Sequence, residues 1–273
     1  MATLLHPRNP HRNGYDFGLL LAKHPPLQAF VTRNPQGKPT VNFHDPAAVK
    51  CLNQALLLTY YRLDYWDIPD AYLCPAVPGR ADYLHYVADL LAEDRKGKVP
   101  RGSRIRVLDI GTGANVVYPI VGSAAYGWSF VGTDVDAQAL AAAQTIVDRN
   151  QRLHGKLELR LQPDVAHLLQ GVTQSGEYFD LVVCNPPFYG SAAEAAQETQ
   201  RKRRGLGAKG KPVRNFGGQS NELWYPGGER AFIGTLIAES ARQPTCAYWY
   251  TSLVAKRAHL TPLEKQLHQL QAR

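Results

Sequence analysis

Two short stretches of this 273-residue chain hold the residue types that chemistry needs. One is Asp109-Ile110-Gly111-Thr112-Gly113-Ala114-Asn115, directly after an apolar run. Gly111 and Gly113 have no Cβ, so the backbone there can turn tightly and let a ligand approach closely. A dinucleotide fingerprint needs a third glycine at position 116, where Val116 stands, and the Gly-Lys-Ser/Thr ending of a P-loop is absent. Asp134 lies 23 residues beyond Gly111, at the end of a second apolar run. An acid at that place accepts hydrogen bonds from both ribose hydroxyls. A ligand with a ribose and no pyrophosphate matches S-adenosylmethionine, with Asp109 supporting its methionine end through the loop. The plain alternative is a strand–turn–helix followed by an exposed acid.

The other stretch is Asn185-Pro186-Pro187-Phe188, again after an apolar run. Each proline fixes φ near about −65°, so the pair cannot extend a sheet and holds Asn185 and the next carbonyl rigidly. The Asn185 side-chain oxygen and the Pro186 carbonyl can both accept N–H bonds from one exocyclic amine. Phe188 offers a face on which a base can stack. Two such acceptors orient the nitrogen lone pair toward a sulfonium methyl, and transfer becomes an in-line displacement driven by proximity and orientation. No strong general base is required, because the nitrogen becomes acidic only once methylated. A rigid Pro-Pro turn without chemistry is the alternative here.

Periodicity shows what must position these stretches. Residues 104–110, 128–134, 157–162, 178–184 and 246–252 read as strands. Residues 136–150 read as an alanine-rich helix with Asp136 as its cap, and 229–242 as another helix. Such alternation predicts an α/β domain with a mostly parallel sheet, its ligand crevice at the carboxyl ends of the strands. Before it, 46–61 and 80–92 show helical spacing, with Asp45-Pro46 marking a helix start. The expected division is an N-terminal helical extension over 1–100 and a ligand-binding domain over 101–273. A Gly/Lys/Arg/Asn-rich loop at 189–228 interrupts the second part, and a loop so long in a compact domain is functional or disordered.

With 44% hydrophobic and 20% charged residues, the composition excludes collagen-like, coiled-coil and wholly disordered chains. No run approaches the roughly 18 to 20 apolar residues of a membrane span, and the first residues hold no signal-peptide core. A cytoplasmic protein is expected. The four cysteines are scattered and read as reduced thiols, and the nine histidines show no ligand spacing, so no metal is expected. The net charge is +8, yet residues 200–214 alone carry seven basic residues and no acid. These are Arg201, Lys202, Arg203, Arg204, Lys209, Lys211 and Arg214; without them the charge falls to +1. Concentrated charge of this kind suits a polyanion, the alternative being a solvated flexible loop.

The Asp-Ile-Gly-Thr-Gly turn, Asp134 and Asn185-Pro186-Pro187-Phe188 together resemble class I S-adenosylmethionine-dependent methyltransferases that act on amino nitrogens, with their Rossmann-like fold. The blocks HPRNPHRNGYDFGLLLAKHPPL, VNFHDPAAVKCLNQALL, VPGRADYLHYVADLL, LDIGTGANVVYPIVG and WYPGGERAFI are similar to the bacterial 23S ribosomal RNA adenine-N6 methyltransferase family, over residues 6–265. The human METTL-type U6 small nuclear RNA adenine-N6 enzyme is a more distant relative. The resemblance implies N6 methylation of one adenine in 23S ribosomal RNA, free or in a large-subunit assembly intermediate, by a monomer. It also implies cofactor contacts at Arg80, Gly111, Asn115, Asp134 and Asn185 and near Asp164, with Arg80 pairing with the cofactor carboxylate as a planar fork. The family's chain continues past this chain's Arg273 with strands that complete an antiparallel sheet edge.

For RNA, the target adenine must leave its stack to reach Asn185 and Phe188. The basic loop and the segment His6-Pro7-Arg8-Asn9-Pro10-His11-Arg12, through Arg8 and Arg12, are expected to clamp phosphates on either side. Tyr15, Phe17, Tyr60, Tyr61, Tyr65 and Trp66 are either stacking platforms or core residues. A DNA adenine or protein glutamine methyltransferase, and a non-catalytic RNA-binding protein, are the rival readings. The basic loop disfavours glutamine, and the intact Asn-Pro-Pro-Phe speaks against a non-enzyme.

Overall fold

The structure is a computed structural model that describes residues 5–195 and 220–272. Its N-terminal part is built from helices with sequence-encoded starts. Asp16 accepts from the Leu19 N–H to begin α1 (Phe17–Lys23). A two-stranded antiparallel ribbon follows, β1 (Val31–Arg33) and β2 (Pro39–Val41). Asp45 accepts from Ala47 N–H, with Pro46 in the first turn of α2 (Pro46–Tyr60). Next comes α3 (Val77–Glu93), which starts three residues before the periodicity predicts because Pro78 is tolerated in a first turn.

The rest alternates strand and helix: β3 (Arg106–Ile110), α4 (Val117–Tyr126), β4 (Ser129–Asp134), α5 (Ala137–Asp148), β5 (Leu157–Leu161) and β6 (Phe179–Cys184). It continues with a single helical turn α6 (Ser220–Leu223), then α7 (Gly228–Arg242), β7 (Ala247–Tyr250) and α8 (Leu260–Gln269). The five strands lie in the order β5-β4-β3-β6-β7 and pair only in parallel. The expected antiparallel edge is not among the described residues. From β3 the chain steps outward to β4 and β5, then crosses back to β6. That reversal opens a crevice at the carboxyl ends of β3, β4 and β6, where an open α/β sheet binds its ligand.

Successive side chains on a strand point to opposite faces, and here both faces are covered. Val107, Leu181 and Val183 join one apolar cluster; Leu108, Ile110, Val182 and Cys184 join the other, with Phe232 and Leu236 of α7. The first cluster also contains Leu20, Leu56, Trp66 and Leu84. The N-terminal helices therefore share a core with the sheet. Periodicity missed α4 because Pro119 and Gly122 interrupt it. Pro119 falls in the first turn, where its missing N–H costs little. Gly122 is demanded by packing, since a Cβ there would collide with the Phe130 ring of β4.

Candidate functional site

The glycine turn leaves β3 with Gly111 at φ +71° and Gly113 at φ +64°, a left-handed region that glycine enters without steric cost. Asp134 is part of the same construction. One of its oxygens accepts from Gly113 N–H at 2.9 Å and the other from Asp136 N–H at 2.9 Å. Thr112 N–H donates to the Thr133 carbonyl at 2.9 Å, fastening the turn to the end of β4. Asn115 then starts α4: its Oδ1 accepts from Val117 N–H, and its carbonyl accepts from the Trp66 indole at 3.0 Å. Val116, where a dinucleotide fingerprint would carry glycine, is fully buried with φ +45°. A β-branched residue held there stores strain, of the order of 1–3 kcal/mol.

These groups border a cleft of about 720 Å³ that is open to solvent. Gly111, Gly113, Asn115 and Asp134 line it, and so do Asn185 and Pro187 from the end of β6. The Asn185 Oδ1 is buried and has no hydrogen-bond partner among the described residues. Pro186 and Pro187 are buried and Phe188 half-buried, so the two imino acids anchor the turn in the protein. Tyr189 N–H donates to the Leu223 carbonyl and Tyr225 N–H to the Tyr189 carbonyl, so the two ends of the 189–228 segment meet beside this turn.

Arg80 and Asp109 are not among the residues that line the cleft; Asp109 lies behind the glycine turn. Asp109 is fully buried, one oxygen accepting from Thr112 Oγ1 at 2.7 Å and the other without a partner among the described residues. Burial pushes its carboxyl up to about 7, and the neighbouring Asp134 adds to the rise, while the Thr112 bond and Arg80 oppose it. The buried Tyr118 hydroxyl also lacks a partner among the described residues, and the Arg80 charge acts on both it and Asp109. Burial raises the Asp134 carboxyl as well, against the pull of its backbone N–H donors.

Asp164 is exposed and absent from the cleft wall, its carboxylate accepting from Ala166 N–H. Gln162, His167 and Leu168 line the cleft instead. Gln162 donates its N–H to the Asp134 carbonyl and its side-chain amide to the Gln170 carbonyl, and residues 167–170 are held from α7: the buried Glu239 accepts from the N–H groups of Leu168, Leu169 and Gln170 and from His167 Nδ1. Although burial works the other way, these bonds hold the Glu239 carboxyl below the usual range. Leu73 and Glu222 complete the wall. Neither carried a sequence signal, because contacts between residues 149 apart leave no local pattern.

The expected phosphate clamp divides. Arg8 pairs with Asp89 at 2.6 Å and donates to the Tyr126 hydroxyl and the His85 carbonyl. Its guanidinium ties the N-terminal segment onto α3 and α4 and stays partly exposed. Arg12 is exposed. Arg201, Lys202, Arg203, Arg204, Lys209, Lys211 and Arg214 lie outside the described residues. The aromatic residues resolve toward the core: Phe17, Tyr61 and Trp66 are buried, and Tyr15, Tyr60 and Tyr65 pack against them. Among the described residues no group of three or more His, Cys, Asp or Glu is placed to hold a metal, and no helix is long and apolar enough to cross a membrane.

The sequence profile of a family described as RNA methyltransferase matches residues 1–273. A protein of Pseudomonas syringae pv. tomato named ribosomal RNA large subunit methyltransferase F is 50% identical over 267 residues, covering 96% of this chain and 81% of its own. Its namesake from Photobacterium profundum is 48% identical over 286 residues, covering 98% and 85%. Among solved structures, the human METTL16 catalytic domain in complex with MAT2A 3′UTR hairpin 1 superposes with a TM-score of 0.79 at 30% identity, over 98% of this chain and 87% of that one. The N-terminal domain of human METTL16 in complex with SAH gives 0.74 at 29% identity, over 97% and 89%.

Proposed function

This chain belongs to the RNA methyltransferase family that its whole length matches, and on that premise we propose that it methylates N6 of one adenine in 23S ribosomal RNA, using S-adenosylmethionine. The observation that carries the reading is the Asn185 Oδ1, buried and unsatisfied, on the wall of a cleft that Asp134 also borders. A buried acceptor without a partner costs free energy, of the order of 1–3 kcal/mol, which a ligand N–H would relieve. An exocyclic amine meets Asn185 Oδ1 and, next to it, the Pro186 carbonyl.

The cleft fits the donor on structural grounds. The left-handed glycines leave backbone bare where an adenosine must approach, Asp134 offers its remaining lone pairs to ribose hydroxyls, and Asp109 and Tyr118 hold polar atoms without a partner among the described residues. When bound, the donor supplies an electrophilic methyl on sulfur, so neither a metal nor a strong base is needed. The protein's own work is to hold the amine, orient its lone pair and exclude water. Phe188 stacks the base, and the 1–100 segment with the basic 200–214 stretch grips the RNA around the extruded nucleotide. The substrate is 23S RNA, free or in a large-subunit assembly intermediate; the chain works as a monomer in the cytoplasm.

The test offers donor labelled in its methyl group to ribosomal RNA, DNA and protein in parallel. Label in ribosomal RNA alone supports the reading. Label in DNA would favour the DNA-adenine rival, label in protein the glutamine rival, and no label with RNA still bound a non-catalytic role.

A further inference from the structure

The stretch Tyr225-Pro226-Gly227-Gly228-Glu229 is not part of the cleft wall. Gly227 and Gly228 both have left-handed backbone, at φ +80° and +69°, and turn the chain into α7. Gly228 also rests on the residues that follow Phe188. A Cβ added to it would lie 3.3 Å from Gly190 N and 3.4 Å from the Tyr189 carbonyl carbon. Glu229, the next residue, is only 1% exposed. Its Oε1 accepts from Ala255 N–H at 2.6 Å, and its Oε2 from Lys256 N–H at 3.2 Å and His259 Nδ1 at 2.7 Å. A buried carboxylate is costly unless its lone pairs are engaged, and these three donors engage them.

The donors belong to a strap that leaves β7 and runs beside the end of β6. Thr251 N–H donates to the Val182 carbonyl at 2.9 Å, and Leu253 N–H to the Cys184 carbonyl at 3.0 Å. Cys184 immediately precedes Asn185. The strap therefore grips the Asn-Pro-Pro-Phe turn on its entry side, Gly228 packs against its exit side, and Glu229 bonds one to the other. Lys256 adds a weaker link: its Nζ lies 3.9 Å from one oxygen of Glu194, whose other oxygen accepts from Gly190 N–H at 2.7 Å. We propose that Glu229 is a positioning residue for methyl transfer. By joining the strap to the start of α7, it fixes where the turn holds Asn185 Oδ1 and the Pro186 carbonyl. This rests on the amine-holding reading above. A misplacement of about 1 Å can cost about 100-fold in rate, so a loosened grip shows in turnover before it shows in binding.

The test compares methyl transfer to 23S ribosomal RNA by the full chain, wild type, Glu229→Ala and Glu229→Gln, at a temperature where thermal melts show each protein folded. For Glu229→Ala, kcat should fall about 10- to 100-fold, while the KM for RNA and the Kd for S-adenosylmethionine stay within about twofold of wild type. Glu229→Gln keeps one acceptor for the strap and should recover part of the loss. Where alanine prevents folding, the same split is read on Glu229→Gln. Amide hydrogen exchange gives a second readout. The Tyr189, Gly190 and Leu253 N–H groups should exchange faster in the variant, while β3 and β4 amides keep their protection. A lower melting temperature with kcat unchanged, or equal losses of turnover and donor affinity, would make Glu229 a general structural tether and overturn the assignment. Asn185→Ala, assayed alongside, separates the two readings. Full activity in that variant defeats the amine reading, whereas an inactive Asn185→Ala beside a fully active Glu229→Ala defeats this inference alone.

Discussion

The two strands that flank β3 end in opposite ways. At the end of β4, Asp134 is satisfied from within: Gly113 and Asp136 each donate an N–H to it, so the acid shapes the turn it borders. At the end of β6, Asn185 presents an oxygen that nothing among the described residues satisfies. The acid on the β4 side is held by internal bonds and keeps lone pairs for a ligand, whereas the β6 acceptor has no partner among the described residues. The difference separates a group that builds the site from a group that waits for substrate, and it makes stability and activity separable.

The largest expected effect breaks the comparison at β6. Asn185→Ala should lower methyl transfer by about 100-fold or more, the scale of losing one preorganised hydrogen-bonding group, with the melting temperature unchanged because no internal bond is lost. Transfer rates and thermal unfolding of the same preparation check both halves. At β4 the same truncation should behave differently. Asp134→Ala strips acceptors from two backbone N–H groups and should cost about 1–3 kcal/mol of stability, together with donor affinity. Chemical denaturation with donor titration reads this, and an unchanged stability would mean that the turn stands without its acid.

The pattern along the chain explains which of these facts were open to a reader of the sequence. Strands buried on both faces, such as Val107-Leu108 and Leu181-Val182-Val183, announce themselves as apolar runs, and Asp45, Asp136 and the glycine turn are local chemistry. Hence the α/β architecture and the two ends of the cleft were legible. The left-handed Val116 was not, because only tertiary packing forces a β-branched residue into that conformation. Nor were His167 and Glu222, which reach the cleft through Glu239 and Leu73, far off in sequence. Arg8 and Arg12 look alike in the sequence, and only the fold shows that Arg8 is spoken for by Asp89, Tyr126 and His85.

That pair of arginines gives a third outcome. Arg12→Ala should reduce RNA affinity and the salt slope by about one phosphate contact, and neutralising Arg201, Lys202, Arg203 and Arg204 together should do so more strongly while sparing donor affinity. Arg8→Ala should instead lower stability by about 1 kcal/mol and leave the salt slope unchanged, because its partners are internal. RNA titrations at several salt concentrations separate the two, and equal slopes for the single variants would contradict the division.

A pH-dependent effect concerns Asp109. Its carboxyl lies near 3.8 ordinarily and is raised to about 7 in the fold. Between those values the folded protein binds more protons than the unfolded chain, so unfolding free energy should fall as pH rises through that window and level off above it. Denaturant unfolding from pH 4 to 8 follows the trend, and Asp109→Asn should remove this component. A stability that instead rises with pH across the window for wild type and variant alike would show that other carboxylates dominate.

One measurement bears most directly on the reaction itself. Ribosomal RNA lacking the modification is incubated with the protein and S-adenosylmethionine, the 23S fraction is digested to nucleosides, and these are identified by mass spectrometry. The expected product is N6-methyladenosine, formed by the wild type and absent with Asn185→Ala. A methyl group on ribose, on cytosine or on no nucleoside at all would contradict an amine held by Asn185 at the end of β6.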